Sequence, residues 1–187
     1  WIGSVGWRQN DQTLDAVRVT ARPVKGSSVD YLYAWRVNRV FGPDSPQGIW
    51  RDTEIHAVRA AYTIKNVGAL SAYGYWLDIP SQPSSSSRIL GVRMAGELPV
   101  GGKSTFLYAA EYARQHDHGA NPRSFGLDYW LIEPGVKTGP LTFKAGYERL
   151  EGNGTVGLQT PLATLHAFNG WADKFLTTPA NGLRDAY

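Results

Sequence analysis

Cysteine is absent from the chain, so neither a disulfide framework nor a thiolate metal site is available to it. Long hydrophobic runs are absent too: no stretch approaches the roughly 18 to 20 apolar residues that a membrane-spanning helix needs. Any block of lysine and arginine is also missing, and a net charge of +3 over 187 residues is too mild to imply nucleic acid as a partner. The first residue is Trp1 rather than methionine and no signal peptide precedes it, which favours reading the chain as a fragment.

Aromatic residues are abundant. Seven tryptophans, ten tyrosines and six phenylalanines sit in a chain whose mean hydropathy is only −0.32. A helical membrane protein does not look like this, but a membrane β-barrel does, because half of each of its strands is polar. The stretch from Thr13 to Val40 shows the pattern. In TLDAVRVTAR, Val17, Val19 and Ala21 alternate with Arg18, Thr20 and Arg22; after the turn PVKGSS, Tyr31, Tyr33, Trp35 and Val37 alternate with Arg36 and Asn38. A period of two places one set on each face of a strand.

Six further runs alternate in the same way. IHAVRAAYTIK (55–65) sets Val58, Ala60, Tyr62 and Ile64 against Arg59, Thr63 and Lys65. SAYGYWLDI (71–79) sets Tyr73, Tyr75, Leu77 and Ile79 against Trp76 and Asp78, and RILGVRMAGEL (88–98) sets Leu90, Val92 and Met94 against Arg93 and Glu97. STFLYAAEYAR (104–114) sets Phe106, Tyr108 and Tyr112 against Glu111, and SFGLDYWLIE (124–133) sets Leu127, Tyr129 and Leu131 against Asp128 and Trp130. LTFKAGYE (141–148) sets Leu141, Phe143 and Tyr147 against Lys144 and Glu148. About eight strands of roughly nine to eleven residues match the length a tilted strand needs to cross a bilayer.

The connections alternate as well. They run short (23–28), long (41–54), short (66–70), long (80–87), short (99–103), long (115–123), short (134–140) and very long (150–181). Short turns on one rim and longer loops on the other are the outer-membrane pattern. The expected fold is all-β, an antiparallel up-and-down transmembrane β-barrel, present as about eight to ten strands of a larger barrel in a single domain over 1–187. Two open edges would then keep the piece from staying soluble alone. Tyr31, Trp35, Tyr73, Tyr75, Tyr112, Tyr129 and Tyr147 are expected outside, in the interfacial girdles. A soluble antiparallel carbohydrate-binding module of the periplasm, using its tryptophans as stacking platforms, is the alternative, because the same aromatics suit a sandwich core.

LQTPLATLHAFNGWADKFLTTPANGLRDAY (158–187) breaks the alternation. Thr160 before Pro161 is a helix start, and Leu162, Leu165 and Phe168 fall on helical spacing, so a short helix is expected within the 150–181 loop. TPLATLHAFNGWADKFLTTPANGLRD, together with VGWRQNDQTLDAVRV (5–19), resembles the alginate-export family of outer-membrane barrels of Gram-negative bacteria. The resemblance spans essentially all of the chain and implies an internal-to-late part of a larger, monomeric barrel whose last strands follow Tyr187. It also implies a location in the outer membrane, contact with its lipid, no enzyme activity and no cofactor. The family's role implies passage of an acidic polysaccharide through an electropositive pore.

By parity, the solute-facing set is Arg18, Thr20, Arg22, Arg36, Asn38, Arg59, Thr63, Lys65, Asp78, Arg93, Glu97, Glu111, Asp128, Lys144 and Glu148. Arginine and lysine come from the first three strands and mostly carboxylates from the later ones. A basic arc beside an acidic arc creates a transverse field in a narrow aqueous channel. Arg18, Arg22, Arg36, Arg59 and Arg93 are suited to carboxylates, which guanidinium groups bind in a forked geometry. The acidic members point equally to a general porin for small anionic or sugar-like solutes. Against a functional role, such charges also pair across strands, as Arg93 with Glu111, and solvate a wall. Residues 158–178 either fold into the pore or form an ordinary surface loop packed by Leu165, Phe168 and Trp171.

Other motifs carry little. His116 and His118 lack a third ligand nearby in sequence, so no metal site is expected. Asn153-Gly154-Thr155 matches a glycosylation acceptor only formally, and EGNGTVG lacks the lysine and spacing of a phosphate loop. No nucleophile-elbow context is present.

Overall fold

The computed structural model describes residue 2, residues 11–163 and residues 177–187. Among these, eleven strands form one antiparallel sheet: β1 (Thr13–Ala21), β2 (Ser27–Asn38), β3 (Ile49–Trp50), β4 (Glu54–Ile64), β5 (Gly68–Asp78), β6 (Ser87–Gly101), β7 (Ser104–Asp117), β8 (Gly126–Thr138), β9 (Leu141–Lys144), β10 (Tyr147–Glu151) and β11 (Gly182–Ala186). Sheet order follows chain order, β1-β2-β4-β5-β6-β7-β8-β10-β11, with the short β3 on β2 and β9 on β8. Each long strand pairs with its sequence neighbour, which gives the up-and-down topology expected from the alternating loops.

β9 and β10 are one strand with a gap. Both hold a single register on β8, Lys144 opposite Gly135 and Tyr147 opposite Ile132. The gap faces Pro134, which has no N–H to donate to a partner strand. Ala145 still donates to the Pro134 carbonyl at 3.0 Å, while Gly146 turns to the Tyr187 carbonyl at 2.8 Å.

The two faces of the sheet differ in kind. The outer face carries apolar side chains open to the surroundings, among them Val17, Val19, Leu90, Ile132 and Phe143, each more than half exposed. In water such a continuous apolar surface is an aggregation hazard. Against hydrocarbon it is the surface a barrel strand needs. Near the long-loop rim the outer face turns amphipathic. Tyr31 bonds His56 Nδ1 at 2.8 Å, and the Tyr112 and Trp130 rings meet at 4.4 Å. That is the make-up of an interfacial girdle. The sandwich alternative needed these rows closed in an interior, and they are not.

Three aromatics expected outside are inside. Tyr73, Tyr75 and Tyr129 share the inner face with Leu77, Leu127 and Leu131, as the pairs Arg59–Tyr73, Ala57–Tyr75 and Ala113–Tyr129 require. On β5 and β8 aromatic residues occupy both parities, so alternation alone could not assign the faces.

The inner face is covered at its long-loop end. Ala34, Ile55, Leu77 and Ile79 pack with Val37, Trp50 and Leu162. Ile89, Ala113, Leu127 and Leu150 pack with Val156 and Leu158. Val156, Leu158 and Leu162 belong to the connection between β10 and β11, so the described part of that connection folds onto the inner wall rather than away from it. A tight turn starts it: Gly152 bridges Gly157, and Asn153 Oδ1 accepts the N–H groups of Thr155 and Val156. Of the expected helix, Thr160–Ala163 forms a turn closed by Ala163 N–H on the Thr160 carbonyl at 3.1 Å. Leu165, Phe168 and Trp171 lie outside the described residues.

Candidate functional site

Register decides which side chains share the inner wall. One cross-strand row runs Asp30, Arg59, Tyr73, Gly91, Ala113, Tyr129, Leu150. The next row towards the short turns runs Ser71, Arg93, Glu111, Leu131, Glu148, Asp185. Polar groups from eight strands thus meet on a wall whose outer side is apolar.

On the early strands, Arg18 Nη2 donates to Asp30 Oδ1 at 2.6 Å, and the Thr20 hydroxyl donates to the same oxygen at 2.7 Å. Arg59 stands opposite Asp30 and is exposed; among the described residues its guanidinium makes no hydrogen bond or ion pair. On the later strands Glu111 is buried and takes two donors, Arg93 at 2.6 Å and the Tyr73 hydroxyl at 2.5 Å. Tyr73 reaches it by lying flat over Gly91, where any side chain would collide with the ring. Tyr129 donates to Glu148 at 2.6 Å, and Lys144 and the Tyr187 hydroxyl both donate to Glu133, at 2.8 and 2.9 Å. Carboxylates dominate the wall from β7 onward, whereas Arg59 is a cation in no ion pair among the described residues.

Of the residues expected on this face, Arg18, Arg59, Arg93, Glu97, Glu111, Lys144 and Glu148 lie on it by register. Arg22 and Lys65 follow the ends of β1 and β4, exposed at the short-turn rim. Four residues lie on the opposite face. Arg36 and Asn38 are turned outward by a β-bulge at Trp35: Asp15 pairs with Arg36 but Ala16 with Ala34, so β2 gains one residue and its parity inverts. Leu14 and Ala16 both pack on the inner cluster, which leaves Asp15 and its partner Arg36 outside. Asn38 bonds Asp15 at 3.2 Å. Asp128 faces outward with Tyr112 (3.0 Å) and Arg114 (3.4 Å). Asp78 shares the outward parity and ends β5 beside Ser86 (3.5 Å). These carboxylates lie near the long-loop ends of their strands, where a charge on the outer face need not meet hydrocarbon.

Parity reasoning also missed inner-wall groups. Asp30 shares the parity of Arg36 and Asn38 in its own alternating run and was open to the same count. Tyr73, Tyr129 and Glu133 went with the misassigned faces of β5 and β8. Gln115, fully buried at the loop end of β7, gave no signal: its side-chain NH2 donates to the Gln159 carbonyl, its oxygen accepts the Gln159 N–H, both at 2.8 Å. Gln12 holds the same stretch through the Leu162 carbonyl at 2.8 Å. Asp117, between the two loop histidines, accepts Phe125 N–H at 2.9 Å and closes the 118–125 loop. Among the described residues no three metal-ligating side chains gather.

No family model and no curated protein matches the chain. Solved structures do. The chain superposes on Pseudomonas aeruginosa OccK5 (OpdH) with a TM-score of 0.71 at 15% identity, covering 92% of this chain and 48% of that one. For OpdL of the same organism the values are 0.69, 18%, 88% and 47%. For OpdK, an outer-membrane protein solved with vanillate, they are 0.68, 16%, 86% and 44%. The chain therefore spans less than half the length of each. At such identities the likeness is one of fold: this chain folds as the barrel wall of an outer-membrane porin does.

Proposed function

We propose that the chain forms part of the wall of an outer-membrane channel through which small anionic solutes pass passively, with no reaction and no cofactor. The observation that carries this reading is the division of one sheet into an exposed apolar face and a face of charged, hydrogen-bonded side chains. Arg59, exposed in mid-strand and in no ion pair among the described residues, is a wall cation open to a passing anion, and Arg18 and Arg93 extend the line across β1 to β6. A guanidinium offers a carboxylate two parallel donors. The carboxylates of β7 to β10 stand across from this arc and give the lumen a transverse field. Structural neighbours support the solute class: OpdK is solved with vanillate and OccK2 (OpdF) with glucuronate, both carboxylates.

The finer reading, export of an acidic polysaccharide such as alginate, draws on the resemblance of residues 5–19 and 160–185 alone. A uronate is the unit the two readings share, and Arg59 would meet it the same way in either. In both, the barrel acts as a monomer bounded by outer-membrane lipid.

The test is ion selectivity of the full-length protein in planar bilayers under a potassium chloride gradient. The reversal potential is expected on the chloride side of zero, moving towards zero in Arg59→Gln. A wild-type preference for potassium, or no conductance, would sink the proposal.

A further inference from the structure

Arg39 directly follows β2, and its backbone N–H donates to the Gly48 carbonyl at 2.8 Å, closing the loop that leads to β3. Its guanidinium lies 4.4 Å from the Trp50 ring centroid and 5.0 Å from that of Phe41. The two rings hold the plane of the cation. Its Nε is buried with no hydrogen-bond partner, and among the described residues the side chain forms no ion pair. Burial alone draws its pKa below the usual arginine value. A guanidinium remains charged under such a shift. A desolvated charge of this kind is costly unless an opposite charge meets it, and the ordinary remedy is an acidic neighbour.

Among the described residues no acidic neighbour lines the space beside it. Arg39 borders a cavity of about 320 Å³ at the long-loop rim, walled by four separate connections. The 79–86 loop contributes Ser84 and Ser85, the 118–125 loop contributes Arg123, and the inward-folded connection contributes Gln159 and Thr160. Among the described residues that line it there are two arginines, six serines and threonines, and no aspartate or glutamate. Arg123, exposed, likewise has no ion-pair partner among the described residues. The size suits a small organic molecule of about one ring.

We propose that this cavity is a docking site for a small organic carboxylate at the long-loop mouth, with the Arg39 guanidinium as its forked partner and Arg123 as a second cation. It is separate from the wall cations: Arg39 lies beyond the end of β2, while Arg18 and Arg59 lie within β1 and β4 towards the short turns. The proposal rests on the channel reading in one respect, that the mouth is where a solute enters. Hydroxyl groups of Ser84, Ser85 and Thr160 supply neutral donors beside the two charges.

The experiment uses full-length protein and benzoate as the probe. Calorimetric titration in detergent reads the site itself, and current block with benzoate added to the long-loop side of a planar bilayer reads it in place. Loss of one charge-assisted pair predicts benzoate affinity falling by about tenfold or more in Arg39→Gln. Arg39→Lys, which keeps the charge and loses the fork, should recover only part of it, and Arg123→Gln should weaken binding less than Arg39→Gln. Equal benzoate affinity in wild type, Arg39→Gln and the Arg39→Gln/Arg123→Gln double variant would overturn the site. The channel reading is judged separately by the wild-type reversal potential in potassium chloride before benzoate is added. If that reading fails, the calorimetric comparison still decides the site in the same two ways.

Discussion

Gln115 on β7 holds the backbone of Gln159 by both its N–H and its carbonyl, each at 2.8 Å, in a place where the Gln115 side chain sees no solvent. One side-chain amide thereby stands in for a strand neighbour and pins the β10–β11 connection against the inner wall.

Gln115→Leu keeps the volume and removes both bonds, leaving two backbone groups unsatisfied at about 1–3 kcal/mol each where they stay buried. The connection is then expected to lift from the wall. Limited proteolysis of the full-length protein should show faster cleavage between 152 and 163, with mean channel conductance and current noise rising together. Deleting 160–178 should raise conductance further. Unchanged conductance in both variants would mean that the connection covers the wall without narrowing the path.

Glu111 is the carboxylate most enclosed by its donors, between Arg93 and Tyr73. Glu111→Gln frees Arg93 from its counter-charge and is expected to move the reversal potential further towards chloride. Arg93→Gln should do the opposite and also destabilise, since a buried carboxylate loses its cation. With Arg93 itself more than a third exposed, solvent screens part of that loss, and about 1–2 kcal/mol is the expected size. Thermal unfolding followed by heat-modifiable migration reads the second effect, and a reversal potential identical in all three proteins would remove the first.

How much of this arrangement could be read in the sequence depended on what each strand had to satisfy. β4, β6 and β7 alternate cleanly because their outward residues meet hydrocarbon and their inward ones meet water, so Val58 against Arg59 and Val92 against Arg93 left one choice. β5 and β8 reach into the rim, where Asp78 and Asp128 sit outside at little cost, and there polarity stopped marking the inside. On β2 the bulge at Trp35 reversed the parity of Arg36 and Asn38; a bulge is a matter of two-strand pairing and leaves no trace in one strand's own pattern. The loop rhythm was legible because chain length alone sets it. The Gln115–Gln159 latch and the Arg39 cavity were not, since the latch joins residues 44 apart and the cavity gathers four separate connections, with no periodicity to announce either.

Gly91 sits under the Tyr73 ring on the inner wall, and an added Cβ would fall within the ring's van der Waals envelope. Gly91→Ala is expected to push Tyr73 off Glu111 at a cost of about 1–3 kcal/mol. In a Tyr73→Ala background the same change should cost little, so a double-mutant cycle should return a large coupling. Additive effects would show that the ring does not depend on the glycine.

Ile132 projects from the middle of the outer face of β8, more than half exposed, in one cross-strand row with Ala110, Met94 and Leu70. If water bathed that face, Ile132→Arg would change stability by less than about 0.5 kcal/mol, as surface substitutions do. Against the hydrocarbon of a bilayer the same change costs about 2–4 kcal/mol near the midplane. Reversible folding of the full-length protein into lipid vesicles from denaturant reads the difference. The matching change on the other side of the wall, Ala95→Arg, points into the aqueous face by register and should be tolerated far better. Equal, small penalties at 132 and 95 would mean that neither side of the sheet meets lipid, and the barrel reading would fall with that result.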